Sequence, residues 1–362
     1  MLVVFLTSVI ALILTVLESR KMLNWGMAIG FTLVTILGCI HYDYGNDYMA
    51  YYDIYYSIVN VPFDISKVFA GDIFKEPGWA LLCYLFKPFG GFFMMVAVLN
   101  IIQNLIVYKL IKRFVEQRWW PLAIFVYLFF TSYYVLNFSM MRQGLVICVF
   151  LGVWELIKDK KYIKAFLILL FSSTIHKSAL ILLPFAFLGL VPIKKGRILV
   201  LIYIVLYLMI WFRGEFMNEV MMVFMSVDEF AEYGETYGNS QVNITYGFGF
   251  VINLIPLILS LMYIIKDRGS RDDKLIVALS IVNFIIAPFS EIMPVIGRVG
   301  MYFGSYQILA LPKVYANVRN RVIRWGLLII LVSVTLYDYF GFFNSIVYRE
   351  GYSEFKTIFS VI

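Results

Sequence analysis

The chain has 362 residues, 62% of them apolar and 15% charged, with a mean hydropathy of +0.85 and a formal net charge of +7. A soluble globular chain holds about 45–50% apolar and roughly 25% charged residues, so a soluble enzyme is excluded; a disordered chain is excluded too, because it needs more charge and less apolar surface. Cys39, Cys83 and Cys148 lie in apolar stretches without paired spacing, and His41 and His176 are far apart, so neither a disulfide framework nor a metal site is expected.

A membrane-spanning helix needs ~20 apolar residues, with a range of about 17–25. In chain order the apolar runs predict spans near 2–17, 24–40, 92–112, 119–136, 141–157, 162–174, 177–192, 198–212, 246–265, 275–290, 298–314 and 324–343. The expected fold is an all-α polytopic membrane protein of about twelve transmembrane helices, forming a single transmembrane domain over 1–362. The first run has no basic n-region and no small-residue cleavage site, so it reads as a retained helix. Between the second and third spans lies a polar segment, 41–91, and within it EPGWALLCYLFKPFG at 76–90 is apolar but short. It is expected to form a re-entrant or interfacial helix, with Pro77 in its first turn. A second polar segment covers 213–245.

Lysine and arginine set the orientation. The alternate connections that begin at residue 18 hold 21 of the 30 basic residues and 7 of the 23 acids, which leaves 9 bases and 16 acids for the opposite side. The basic side is expected to be cytoplasmic. Both termini and both long polar segments then fall outside.

Polar residues inside spans are costly and mark function by default. Three hairpins carry them near their outer turns: Arg142 in 119–157, His176 and Lys177 in 162–192, and Glu291 and Arg298 in 275–314. Arg142 lies 16 residues from Lys158, His176 12 from Lys164, and Arg298 15 from Lys313. At 1.5 Å per residue this puts all three roughly 18–24 Å above the inner edge of a core about 30 Å thick, which suggests one outward-facing cavity. The competing reading for Arg142 and Lys177 is snorkelling to headgroups. For His176 it is a hydrogen-bonded packing residue, and for Glu291 a structural pair with Arg298.

The first outer segment contains seven tyrosines between positions 42 and 56. Tyr44, Tyr48, Tyr51 and Tyr55 recur on one helix face, and Asp43 and Asp47 are i, i+4 neighbours. Such a face reads either as an aromatic belt at headgroup level or as a platform for sugar rings with carboxylates for their hydroxyls. No P-loop, GxSxG, HExxH or CxxC sequence occurs, which removes support for ATP-driven transport, serine hydrolysis and zinc proteolysis.

Five short stretches, in order, resemble one family. GNDYMAYYDIY at 45–55 resembles the G-x-D-x-x-x-Y-x-x-x-Y segment of the EpsG family of Wzy-like bacterial polysaccharide polymerases. Glu76-Pro77-Gly78-Trp79 resembles its E-P-G-aromatic helix start, and Met141-Arg142-Gln143-Gly144 its R-Q-small sequence. His176-Lys177-Ser178-Ala179 resembles its H-x-S-A, and Arg298 with Tyr302-Phe303 its late R-x-x-x-Y-F. The resemblance implies a metal-independent glycosyltransferase in the bacterial plasma (inner) membrane, without a cofactor. It would join polyprenyl-diphosphate-linked oligosaccharide repeat units into O-antigen, capsule or exopolysaccharide. Chain-length regulator and flippase proteins are the further partners it implies, and no nucleic acid is involved.

Chemistry assigns candidate roles. Guanidinium groups suit a leaving diphosphate, hence Arg142 and Arg298. A general base near ambient pH suits the acceptor hydroxyl, hence His176, with Glu76 or Asp47 as competitors. Asp43, Tyr48, Tyr51, Gln143, Lys177, Glu291 and Tyr302 are candidate substrate contacts. Two other classes remain open on the sequence: a flippase of lipid-linked oligosaccharide, and a membrane O-acyltransferase acting on polysaccharide.

Overall fold

The computed structural model describes residues 1–190, 248–290 and 294–360. They are almost entirely helical. The chain separates into two compact units, residues 1–191 with 311–362, and residues 192–310.

The first unit opens with α1 (Leu2–Ser19) and α2 (Gly26–Ile40), which pack as a hairpin. Its tight turn is closed by Glu18, whose carboxylate accepts the Met27 N–H at 2.6 Å. The strand β1 (His41–Tyr42), α3 (Tyr48–Val59), α4 (Ile65–Ala70) and α5 (Pro77–Phe86) make up the first long polar segment. Next come α6 (Gly91–Phe114), α7 (Trp120–Phe129), α8 (Met141–Lys158), α9 (Tyr162–Ile175) and a 3₁₀ helix, Lys177–Leu190. The unit closes with α14 (Arg321–Asn344) and β2 (Lys356–Thr357). In the second unit α10 (Phe248–Ile265), α11 (Arg271–Ser290) and α12 (Pro294–Gly304) pack in sequence. The helix α13 (Gln307–Ala316) returns the chain to the first unit.

By length and composition α1, α6 and α14 suffice to cross a bilayer, while α2, α5, α9, Lys177–Leu190 and Leu254–Ile265 are shorter apolar helices. The lipid-compatible faces are visible as exposed apolar residues, such as Leu6, Ile10 and Ile13 on α1 and Ile163, Leu167 and Phe171 on α9. The protein is an all-α membrane protein.

Within the first unit the helix ends sort by chemistry. At one end sit the basic connections. Gln117 donates to the Glu18 carbonyl at 3.1 Å, Arg113 pairs with Glu155 at 2.8 Å, and Lys313 donates to the Phe114 carbonyl at 2.6 Å. At the other end the two termini meet the first polar segment. The Met1 ammonium donates to the Tyr352 carbonyl at 3.3 Å, β1 pairs antiparallel with β2, and Gly45 N–H donates to the Gly351 carbonyl at 2.7 Å. Both termini therefore lie at the same end as residues 41–47.

Three expected spans take a different form. The run 119–136 is an α-helix only as far as Phe129; residues 130–140 are turns and a short 3₁₀ segment, of which 133–139 are buried in protein. Their backbone bonds locally, as from Tyr134 N–H to the Tyr127 carbonyl and from Ser139 N–H to the Leu136 carbonyl. Protein on all sides is the condition under which irregular backbone is tolerated at membrane depth. The run 298–314 breaks at Ser305–Tyr306 into α12 and α13. The run 177–192 is a 3₁₀ helix of 14 residues, about 28 Å long at roughly 2.0 Å per residue instead of the ~21 Å of an α-helix. The expected span 198–212 and the outer segment 213–245 lie outside the described residues.

The tyrosine face of α3 turns inward. Tyr44 and Tyr48 are fully buried, and Tyr51 and Tyr55 nearly so. Tyr48 stacks edge-on against His41 and Phe92 and donates its hydroxyl to the His41 carbonyl at 3.3 Å. It belongs to the core and not to an exposed sugar platform.

A candidate site around Glu76

Three chain segments meet at the Glu76 carboxylate. Glu76 is the N-cap of α5, in extended conformation, and Pro77 occupies the first helical position, where its missing N–H costs nothing. Arg142 is the second residue of α8. His176 caps the C-terminus of α9 in extended conformation and forms the tip of the hairpin with Lys177–Leu190. That hairpin is antiparallel: Phe166 faces Phe187 at 5.8 Å, and Gly189 lies against the Tyr162 ring.

The carboxylate has three partners. Oε2 accepts from Arg142 Nη1; Oε1 faces His176 Nδ1 at 3.1 Å and accepts the Lys177 backbone N–H at 3.0 Å. Glu76 is 6% exposed. Arg142 is held on three further sides. Its Nε donates to the Tyr51 hydroxyl at 3.4 Å, and its guanidinium lies over the Tyr51 ring at 5.4 Å and the Phe74 ring at 5.2 Å. Tyr51 in turn packs edge-on against buried Trp79. Of the five donors of a guanidinium, two are engaged here. On His176, Nε2 is buried and has no partner among the described residues.

Burial pushes the Glu76 carboxyl upward. The His176 hydrogen bond, the Arg142 charge and the Lys177 N–H outweigh it and hold the group below the ordinary carboxylate range. A carboxyl held below its unfolded value stabilises the fold above that value and loses the contribution as pH falls through the folded one. The Glu76 carboxyl is therefore ionised at neutral pH and is lost as a hub only in acid below the usual carboxylate range.

The sequence Glu-Pro-Gly-Trp has a steric logic. A Cβ on Gly78 would stand 2.2 Å from Thr174 Oγ1 and 2.9 Å from its carbonyl carbon. Only glycine lets α5 approach the end of α9 closely enough for Glu76 to reach His176 and Lys177. Gly78→Ala should destabilise by about 1–3 kcal/mol, the usual cost of overpacking. Its thermal melt in detergent should fall and its activity with it; an unchanged melt and full activity would show that the approach is not needed.

Other expected site residues are placed elsewhere. Asp43, in left-handed backbone, pairs with Lys356 at 3.1 Å. Asp47 is exposed at the N-cap of α3, and its N–H donates to Ser139 Oγ at 3.0 Å. Gln143 is buried on α8 beside Arg142. Lys177 brings its backbone N–H to Glu76 while its side chain is exposed. In the second unit Arg298 and Tyr302 lie one turn apart on α12, Tyr302 buried and Arg298 half-buried. Glu291 lies outside the described residues.

One polar feature was not anticipated. Asn100, Gln103 and Asn104 of α6 are all buried, and Asn104 Oδ1 accepts from the Tyr127 hydroxyl at 3.0 Å. Asn137 joins them, since a Cβ on Gly144 would meet both the Asn137 and Gln103 amides. Three amides at i, i+3 and i+4 in an apolar run are a legible signal for buried interhelical hydrogen bonding.

These observations define a helical membrane protein with a buried carboxylate that fastens an arginine and a histidine at one end of its helices. The family model described as EpsG family matches residues 2–356, and the chain belongs to that family of Wzy-like polysaccharide polymerases. No curated protein and no solved structure matches it.

Proposed function

We propose that the protein is a membrane glycosyltransferase that polymerises polyprenyl-diphosphate-linked oligosaccharide repeat units on the outer face of the bacterial plasma membrane. The observation that carries this reading is the pairing of a guanidinium with an imidazole through Glu76 in a chain of this family. Transfer needs a group to neutralise the departing diphosphate and a group to take the acceptor proton. Arg142, with three donors unengaged among the described residues, supplies the first by bidentate hydrogen bonding. His176 Nε2 supplies the second. The acceptor oxygen bonds to the anomeric carbon, the carbon–oxygen bond to the diphosphate breaks, and the diphosphate leaves with the electron pair. The hydroxyl proton goes to Nε2. Arg142 here does what a metal ion does in other diphosphate sites.

A gel of lipid-linked saccharide from a deletion strain tests the class. Loss of a polymerase leaves single repeat units on the outer leaflet. Units trapped inside would indicate a flippase, and full-length unmodified polymer an acyltransferase; either result removes the reading.

The basic connections at one end and the termini at the other support an orientation with the basic end in the cytoplasm. In a cysteine-free background, Asp72→Cys should react with an impermeant thiol reagent in intact cells, and Arg118→Cys should not. Both positions are exposed. The reverse pattern would place the Glu76 cluster in the cytoplasm and overturn the outward-facing site.

A further inference from the structure

The geometry points to Glu76 as a positioning residue that fixes His176 in the tautomer with the proton on Nδ1 and the lone pair on Nε2, and that joins this base to Arg142 as one rigid element. The inference deepens the polymerase reading and rests on it for the purpose of the arrangement, though not for the arrangement itself.

A carboxylate has no proton to give, so the nitrogen facing it at 3.1 Å must carry the hydrogen. A neutral imidazole holds one N–H and one lone pair. With Nδ1 engaged, the lone pair falls on Nε2, which is buried and has no protein partner among the described residues. Free imidazole has no such constraint. The second shell that sets a histidine's tautomer is what separates a base from a packing residue.

Glu76 holds the ring in place as well. Oε1 also accepts the N–H of Lys177, the residue next to His176, so the carboxylate grips both the ring and its own backbone turn. Oε2 is taken by Arg142, 66 residues along the chain. Any movement of the base relative to the arginine therefore breaks a charge-assisted hydrogen bond. Among the described residues the charged or titratable groups that face His176 and Glu76 are Arg142 from α8, Tyr51 from α3 and Cys83 from α5 through Arg142, and Lys177 of the same turn. A carboxylate already held by an arginine, an imidazole N–H and a backbone N–H is a weaker base than the Nε2 lone pair, which has no partner among the described residues. The general-base role once open to Glu76 passes to His176.

The chain holds two histidines, His41 and His176, so ¹⁵N-histidine-labelled protein in micelles shows only two imidazoles. His176→Gln identifies the His176 signals by their loss. At neutral pH the wild type should show His176 with protonated Nδ1 and a pyridine-type Nε2. Glu76→Ala should lose this single tautomer and show Nε2 protonated in part or in full. A wild-type ring protonated on Nε2 alone, or on both nitrogens, would overturn the proposal, as would a tautomer that survives Glu76→Ala. This readout needs no substrate, so it stands or falls separately from the polymerase reading.

In polymerisation assays Glu76→Ala should fall at least 100-fold, and the loss in Glu76→Ala/His176→Ala should be clearly smaller than the product of the two single losses. Additive losses in the double variant would show that Glu76 acts independently of the histidine. A Glu76→Ala protein that fails to accumulate is replaced in both arms by Glu76→Gln, which should retain Nδ1–H donation to the amide oxygen while losing the grip on Arg142. Gln should therefore restore the tautomer but not the rate; restoring neither or both would also overturn the proposal.

Discussion

Arg142→Lys inserts normally and loses polymer formation by about 10- to 100-fold or more. The charge is kept, but the planar fork is lost, and with it the bidentate contact to a phosphate. A hydrogen bond to a charged group is worth on the order of 1.5–3 kcal/mol, and each 1.36 kcal/mol is tenfold in rate. The geometry adds a second loss. The Arg142 guanidinium reaches Glu76 and Tyr51 through separate nitrogens while lying between the Tyr51 and Phe74 rings. A lysine ammonium has no second nitrogen to do both and stacks less well on aromatic faces. The measurement is polymer yield normalised to membrane-inserted protein, with the ladder of lipid-linked saccharide read alongside. Wild-type yield from the lysine variant would show that Arg142 anchors the cluster only, and the diphosphate would have to be met elsewhere.

Part of this arrangement was legible in the sequence. The depth argument put Arg142, His176 and Arg298 at one level in three hairpins; Glu76 holds the first two, and Arg298 belongs to the second unit. The Glu76-Pro77-Gly78 start of a short helix was legible because Pro and Gly have positional meaning. The hub itself was not, since its members lie 66 and 100 residues apart, and no periodicity reports a contact at that range. The tyrosine face was seen but its direction was not: i, i+4, i+7 spacing is the same for a face that packs and a face that binds. The break after Phe129 was hidden because residues 119–136 are apolar almost throughout, and an apolar run reads alike whether its backbone is helical or turned. The 3₁₀ form of 177–190 was hidden for a similar reason. In a wholly apolar segment, periods of 3.0 and 3.6 leave the same pattern. The α6 amides Asn100, Gln103 and Asn104 are legible by their i, i+3, i+4 spacing in an apolar run.

His176→Gln accumulates normally and leaves single repeat units on the carrier lipid. Glutamine keeps hydrogen bonding near the Glu76 carboxylate but cannot take a proton at neutral pH. A positioned general base is worth typically 10²–10⁴-fold, so polymer should fall by about that factor in both the Gln and Ala variants. The comparison between them carries the weight. If His176 only packs the hairpin tip, Gln, which fills similar volume and can bond Glu76, should restore activity that Ala loses. If Nε2 is the base, Gln restores the melt and not the rate. The hairpin makes the first outcome the weaker expectation. Its tip is set against α5, where a Cβ on Gly78 would meet Thr174. A half-buried imidazole with one nitrogen on a carboxylate and the other buried without a partner among the described residues is poorly satisfied as packing and well placed to receive a proton. Full-length polymer from the Gln variant would end the general-base assignment and move the search to Asp47, which is exposed at the start of α3.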